Sequence, residues 1–194
     1  MWTAAILAGG QARRLGGLDK RALTVGAHSI LDRQLAALRS LTPHILIVAG
    51  ETAGTAAADT TVVTDRIAGA GALGGLYTAL VAAPTEQVLV IACDMPFLTE
   101  PWLAYLADAG AADPAIDLVM PRDERGPQPL CASYHVRVAP ALKARIDAGQ
   151  LRVLDAIAPL AVRELGPAEL APFNASGRLL FNVNTPDDHT RAQQ

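Results

Sequence analysis

Chemistry in this chain is concentrated first in Leu7-Ala8-Gly9-Gly10-Gln11-Ala12-Arg13-Arg14-Leu15-Gly16-Gly17-Leu18-Asp19-Lys20. An apolar run from Trp2 to Leu7 leads into it with the composition of a strand. The glycines let the backbone take positive φ and approach a ligand with no Cβ in the way. Arg13, Arg14 and Lys20 add cationic donors against the single carboxylate of Asp19. Clustered main-chain N–H groups with guanidinium and ammonium groups form a concave anion site, suited to a phosphate chain. A plain Gly-rich turn after a first strand is the alternative, and the three cations in register count against it.

The spacing excludes the commoner phosphate loops. Lys20 follows Asp19 and precedes Arg21, so there is no Gly-Lys-Ser/Thr, and the adjacent Gly9 and Gly10 do not make G-x-G-x-x-G. A second centre is Asp94, which follows the apolar run Val88 to Ala92 and Cys93 and precedes Met95-Pro96. A strand-end carboxylate facing a phosphate loop suits Mg²⁺, which takes few carboxylates and fills its shell with water and phosphate oxygens. Its alternative is a turn or helix cap. Asp65 closes the β-branched run Thr60 to Thr64 before a Gly-rich stretch, Arg66 to Gly75, and could equally be a solvated turn residue.

These residues need elements to hold them. Ser29 to Leu41 has helical period, Pro43 stops it, and His44 to Ala49 reads as a strand. Leu76 to Ala83 reads as a helix and Gln87 to Ala92 as the most apolar strand. Thr99 caps a helix to about Asp108 with Pro101 in its first turn. Asp117 to Met120 and Leu130 to His135 are strands, Val138 to Ala148 a helix, and Phe181 to Val183 a short last strand. Thr185-Pro186-Asp187-Asp188 opens a final helix with Pro at N1 and Asp at N3. Alternating strands and helices predict an α/β, three-layer Rossmann-like domain over residues 1–194 with a mostly parallel sheet. The loop after Leu7, Asp65 and Asp94 would share the carboxyl edge of that sheet, where such folds bind ligands.

Composition narrows the function classes. The 194 residues are 51% hydrophobic, yet no run is long enough to cross a bilayer, and no secretory signal is visible. Cys93 and Cys131 have no metal-ligand spacing, which fits a reducing cytoplasm and buried thiols rather than nucleophiles. A net charge of −3 and 4% aromatic residues offer nothing for nucleic acid or membrane binding.

The N-terminal stretch resembles the signature L-A-G-G-x-x-x-R-h-G-x-x-K of nucleotidyltransferases, and in its fuller form the molybdenum cofactor guanylyltransferases. Three further segments follow in that family's order: Cys93-Asp94-Met95-Pro96-Phe97-Leu98, Gln128-Pro129-Leu130 with Tyr134, and Asn182-Val183-Asn184-Thr185-Pro186. Gly149-Gln150-Leu151-Arg152-Val153-Leu154 is similar to its G-x-R-R-V-L segment, with leucine in place of the first arginine. The resemblance implies a Mg²⁺-dependent transfer of GMP from GTP to the terminal phosphate of molybdopterin, with release of pyrophosphate. By it, the backbone of Leu7, Ala8, Gly9 and Gly10, with Gly16 and Gly17, holds the phosphates, and Arg13, Asp65 and Asp94 also belong to the nucleotide site. Lys20 and Arg14 neutralise charge on the triphosphate. Asp94 binds the metal, with Asn184 and then Asn182 as further ligands. Gln128, Arg152 and Asn182 lie toward the pterin. The nucleophile is already an anionic phosphate, so no general base is required. The resemblance also implies transient contact with a molybdenum insertase and molybdoenzyme chaperones.

Two departures bear on specificity. Val48-Ala49-Gly50-Glu51 lacks the asparagine that guanylyltransferases commonly carry after the second strand, and Gly71-Ala72-Leu73 lacks the proline of the family's second loop. Transfer of CMP, transfer to a sugar phosphate, and a non-catalytic nucleotide-binding module stay open as alternatives.

Overall fold

The computed structural model describes residues 1–8, 23–50 and 59–194. The expected site residues Gly9, Gly10, Arg13, Arg14, Gly16, Gly17 and Lys20 lie outside the described residues. In chain order the elements are β1 (Thr3–Leu7), β2 (Thr24–Val25), β3 (His28–Ser29), α1 (Ile30–Arg39), β4 (Ile45–Ala49), β5 (Thr61–Thr64), α2 (Gly71–Ala82), β6 (Gln87–Ala92) and α3 (Glu100–Ala111). There follow β7 (Leu118–Asp123), β8 (Gly126–Pro127), β9 (Cys131–His135), α4 (Ala139–Asp147), α5 (Val153–Ile157), β10 (Val162–Leu165), α6 (Pro167–Leu170) and α7 (Pro186–Ala192).

The main sheet has the order β10-β7-β9-β6-β1-β4-β5, with β8 paired to β7. It is mixed. Parallel pairing joins β6, β1, β4 and β5 on one side and β10 with β7 on the other, and β9 runs antiparallel between the two groups. β1 and β4 are buried at every position, as a central strand covered on both faces must be.

Helices cover both faces. On one, Leu73, Leu76 and Leu80 of α2 and Leu142 and Ile146 of α4 pack with Ala5, Val88, Val90 and Tyr134. On the other, Leu35 and Leu38 of α1 and Trp102, Leu103 and Leu106 of α3 pack with Ala4, Ile6, Leu89 and Ile91. Alternate residues of β1 and β6 therefore serve opposite cores, as the two-residue period of a strand dictates. A third, small cluster joins Leu23, Val25 and Ile30 to Val183 and Ala192, so α7 closes onto the β2–β3 hairpin. His189 Nε2 at 2.7 Å and Gln193 Nε2 at 2.8 Å both reach the Thr24 carbonyl across that contact.

Several boundaries differ from the sequence reading. Phe181 to Val183 forms no strand: Phe181 N–H closes a turn onto Arg178 at 3.0 Å, and Val183 N–H is taken by the Asp94 carbonyl at 2.8 Å. α2 begins at Gly71 rather than Leu76, since Gly71 at φ +60° turns the chain directly into helix. β7 runs on to Asp123 because its end pairs with β8. β10, α5 and α6 carry no periodic signal long enough to be read beforehand.

Candidate active site

Register brings the strand ends to one edge. Leu7 lies beside Val48 and Ala92, and Ala49 beside Thr64, so the residues that follow these strands emerge together. The described part of the phosphate loop, Leu7 and Ala8, is tied in from both sides: Ala8 N–H donates to Val48 at 2.8 Å, and Cys93 N–H donates to the Leu7 carbonyl at 3.2 Å. The turn carrying Asp94 is thus bonded directly to the start of that loop.

Asp94 is half-buried in the Cys93-Asp94 turn after β6. Its carbonyl accepts from Val183, which places Asn182 and Asn184 on either side of the anchoring residue. Asp188 Oδ2 accepts the N–H of Asn184 at 3.1 Å and of Thr185 at 3.0 Å, and Thr185 Oγ1 accepts the Asp188 N–H at 3.1 Å. This capping box starts α7 and fixes the backbone of Asn184. Burial by itself would raise the Asp188 carboxyl, but the bonds from Thr185 and Asn184 outweigh it and hold it below the usual range. Asn182 is half-buried and Asn184 exposed.

Asp65 has a structural duty. Its Oδ1 accepts from Ile67 N–H at 3.1 Å and from Thr78 Oγ1 at 3.0 Å, while Thr78 Oγ1 accepts from Arg66 N–H at 3.0 Å. The carboxylate thereby folds the loop back onto α2. Gly74 has to be glycine here: a Cβ would come within 2.8 Å of Ala70 Cβ and 3.3 Å of Asp65 Oδ1. The N-terminal turn of α2 opens on the same edge, where its first N–H groups suit an anion.

The other sequence candidates spread along the edge. The Ala92 N–H donates to Leu130, which brings Gln128-Pro129 beside the Asp94 turn. Gln128 Nε2 donates to Asp123 Oδ1 at 3.1 Å, and Arg125 donates to Asp123 Oδ2 at 2.8 Å. For Asp123, burial pulls the carboxyl up, and the Arg125 and Gln128 bonds together hold it below its ordinary value. Arg152 is not drawn into this group: it is exposed, caps α5 and faces Asp155 at 3.5 Å.

Sequence reasoning missed an open cleft of about 820 Å³ beside Asn182, walled by Arg122, Asp123, Arg125, Leu170, Phe181 and Arg191 among others. Its walls come from β7, α6 and α7, which are brought together only by the fold. The arginines near positions 122–125 and 191 were the available signal. Phe181 also stacks against Phe97, the residue three after Asp94, with ring centroids 6.1 Å apart, and Arg178 sits 3.9 Å over the Phe97 ring.

The cysteines are packing residues. Both are buried, and burial pushes the Cys131 thiol up to about 12 despite the Trp102 indole nearby. Among the described residues no three His, Cys, Asp or Glu side chains cluster as a metal cage, and no helix is long and apolar enough to cross a membrane. A hard cation here would rest on Asp94, nearby amide oxygens and the ligand's own phosphates, a donor set that fits Mg²⁺ or Mn²⁺.

A mixed α/β sheet that brings Asp65, Asp94 and the Asn182–Asn184 segment to its carboxyl edge is the setting in which such folds bind ligands. The family model for the MobA-like NTP transferase domain matches residues 4–162, and the chain belongs to that family. It is 35% identical to a probable molybdenum cofactor guanylyltransferase of Chloroflexus aggregans, over 97% of this chain and 91% of the relative. Its fold is similar to that of molybdopterin-guanine dinucleotide biosynthesis protein A of Archaeoglobus fulgidus, with a TM-score of 0.83, 25% identity, and coverage of 100% of this chain and 97% of that one. A Mycobacterium tuberculosis protein in complex with manganese shares the fold at TM-score 0.67 and 19% identity, covering 99% of this chain and 97% of that one.

Proposed function

We propose that this protein is a molybdenum cofactor guanylyltransferase, a single cytoplasmic domain spanning residues 1–194 that joins GMP from GTP to the terminal phosphate of molybdopterin. The carrying observation is the Val183–Asp94 bond, which sets the asparagine segment against the strand-end carboxylate on the edge where the phosphate loop begins. The names of the relatives in Chloroflexus and Archaeoglobus support a guanylyl donor and a molybdopterin acceptor.

In this reading an oxygen of the pterin phosphate forms a bond to the α-phosphorus of GTP. The α–β bridging P–O bond breaks, and pyrophosphate leaves with the electron pair. Such transfer depends on alignment and charge neutralisation, so the chain's part is to hold both phosphates still. The Ala8 N–H is spent on the Val48 carbonyl and Leu7 lies within β1, so these two shape the loop's entry rather than donate to phosphate. Backbone N–H groups of Gly9 and Gly10 and at Gly16-Gly17, with Arg13, grip the triphosphate, and Lys20 and Arg14 offset its charge. Asp65 shapes the second loop at the nucleotide. Asp94, with Asn184 and Asn182, would hold a Mg²⁺, which would supply Lewis-acid polarisation of the reacting phosphate. The cleft beside Asn182 receives the pterin, with Gln128 holding its hairpin wall; Arg152, on α5 and paired with Asp155, lies outside it. Transient docking to an insertase and to molybdoenzyme chaperones would deliver and collect the pterin.

The test is pyrophosphate release with molybdopterin and each of GTP, CTP and ATP in competition, with Mg²⁺ or Mn²⁺. GTP should prevail. Equal turnover with CTP would shift the reading to a cytidylyltransferase, which the chain's Val48-Ala49-Gly50 ending without asparagine makes the natural competitor. Turnover only with a sugar phosphate as acceptor would overturn the pterin, and no release with any acceptor would leave a binding module.

A further inference from the structure

Gln34 is an amide in a place built for an aliphatic side chain. It lies on α1 between Ile30 and Leu38, one helical turn from each, and all three are buried, Gln34 at 1% exposure. Its Nε2 donates to the carbonyl of Ala92 at 2.8 Å and to the carbonyl of Met95 at 3.1 Å. These two carbonyls bracket Cys93-Asp94. Both amide hydrogens of Gln34 are therefore spent on the two ends of the turn that carries Asp94. The orientation of the amide follows from the same contacts, since the reverse would set its oxygen against two carbonyl oxygens.

The other half of the amide argues that this is a duty rather than packing. Gln34 Oε1 is buried and accepts no hydrogen bond from the described residues. An unpaired buried acceptor is costly, and leucine or methionine would fill the volume without it. Backbone bonds also hold the turn: Ala92 N–H to Leu130, Cys93 N–H to Leu7, and Val183 N–H to the Asp94 carbonyl. Gln34 adds a side-chain clamp across them.

We infer that Gln34 is a positioning residue that pins the Ala92–Met95 turn and so presents the Asp94 carboxylate to a metal in one orientation. The metal half of this rests on Asp94 acting as proposed above; the pinning does not.

Gln34→Leu and Gln34→Glu test it, each with three readouts: thermal melting, amide hydrogen exchange at Val183 in the free protein, and Mn²⁺ binding followed by electron paramagnetic resonance with a non-hydrolysable GTP analogue present. Gln34→Leu removes the unpaired Oε1 but takes the amide donors from the Ala92 and Met95 carbonyls, so it should melt below the wild-type temperature, exchange the Val183 amide about tenfold faster and bind Mn²⁺ about tenfold more weakly, the size of one to two hydrogen bonds. Gln34→Glu keeps one donor while its carboxyl is neutral, and burial against two carbonyl oxygens extends that state well above the ordinary carboxylate range. As the pH is raised from about 5 to about 8.5 and the carboxyl ionises, its Mn²⁺ affinity should fall relative to wild type at the same pH. Wild-type exchange and wild-type Mn²⁺ affinity in Gln34→Leu would overturn the inference. Should that variant fail to fold, Gln34→Glu decides by its pH profile, a flat ratio to wild type counting against the clamp. Faster Val183 exchange with unchanged Mn²⁺ binding would uphold the pinning and overturn Asp94 as the metal ligand, which separates the two claims.

Discussion

The guanidinium of Arg125 bridges from the Asp123 carboxylate to the carbonyl of Leu180, at 2.8 and 2.6 Å. It couples the β7–β8 hairpin to the segment that continues through Asn182 to Asn184, across the mouth of the cleft. Arg125→Ala frees that segment at its cleft end. The KM for the pterin acceptor should rise about tenfold, with a smaller change for GTP, since a bond to a charged group is worth roughly 1.5–3 kcal/mol. Steady-state kinetics with each substrate varied in turn would show it, and an equal rise for both would mean that Arg125 acts on the whole edge.

Asp94→Asn separates the metal assignment from a turn-capping role. As a metal ligand it loses the charge that holds the cation, and turnover should fall by about a hundredfold or more. A cap would tolerate Asn with stability and activity kept. Pyrophosphate release across a Mg²⁺ titration, with melts alongside, distinguishes them; near-normal turnover at ordinary Mg²⁺ would remove Asp94 from the metal site.

Lys20→Ala should lower GTP affinity and rate by about ten- to a hundredfold, the scale of one lost charge-assisted bond, with the melting temperature unchanged. Calorimetric titration with GTP checks the first part. A large drop in melting temperature with intact binding would make Lys20 structural.

Gly110 offers a control far from the site. A Cβ there would overlap the Ser133 hydroxyl and lie 2.6 Å from Gln87 Nε2, which donates to that hydroxyl at 2.9 Å. Gly110→Ala should therefore cost about 1–3 kcal/mol of stability by overpacking, read by denaturant unfolding, and leave kcat per folded molecule as in wild type.

Asp117 should dominate a measurable part of the acid response. Burial raises its carboxyl, but the Ala161 N–H at 2.9 Å and the Arg137 guanidinium at 2.7 Å outweigh it, so its folded pKa lies below the unfolded one. A depressed carboxylate stabilises the fold fully above the unfolded pKa, and that stability is lost as pH falls through the folded value. Asp117→Asn should be less stable than wild type by about 1–3 kcal/mol at pH 7, with the gap closing below the ordinary carboxylate range near 4. Melting temperatures of both proteins from pH 2.5 to pH 7, on the order of the carboxylate range and above, would test the sign.

Much of the scaffold was legible because its signals are local. Gln87–Ala92 is a strand by the unbroken apolar run from Val88, Ser29 and Thr185 begin helices by side-chain capping, and the helix after Thr99 opens on Pro101 with no cap bond from the Thr99 side chain. The Asp94 and Asn182-Asn184 motifs, and the placement of Asp65 after an apolar strand, needed only neighbours in sequence. Tertiary structure decided what depends on distant partners. β9 runs antiparallel between β6 and β7 although its own residues read like any buried strand. Phe181–Val183 is no strand: Phe181 N–H closes a turn onto Arg178, and Val183 N–H goes to Asp94, eighty-nine residues earlier. Arg125 and Arg191 wall one cleft, and Gln34 reaches the Asp94 turn, only once helices and strands have been stacked. A hydrogen-bond partner 58 or more residues away leaves no periodicity in the chain, so such relations exist in the sequence only through the fold.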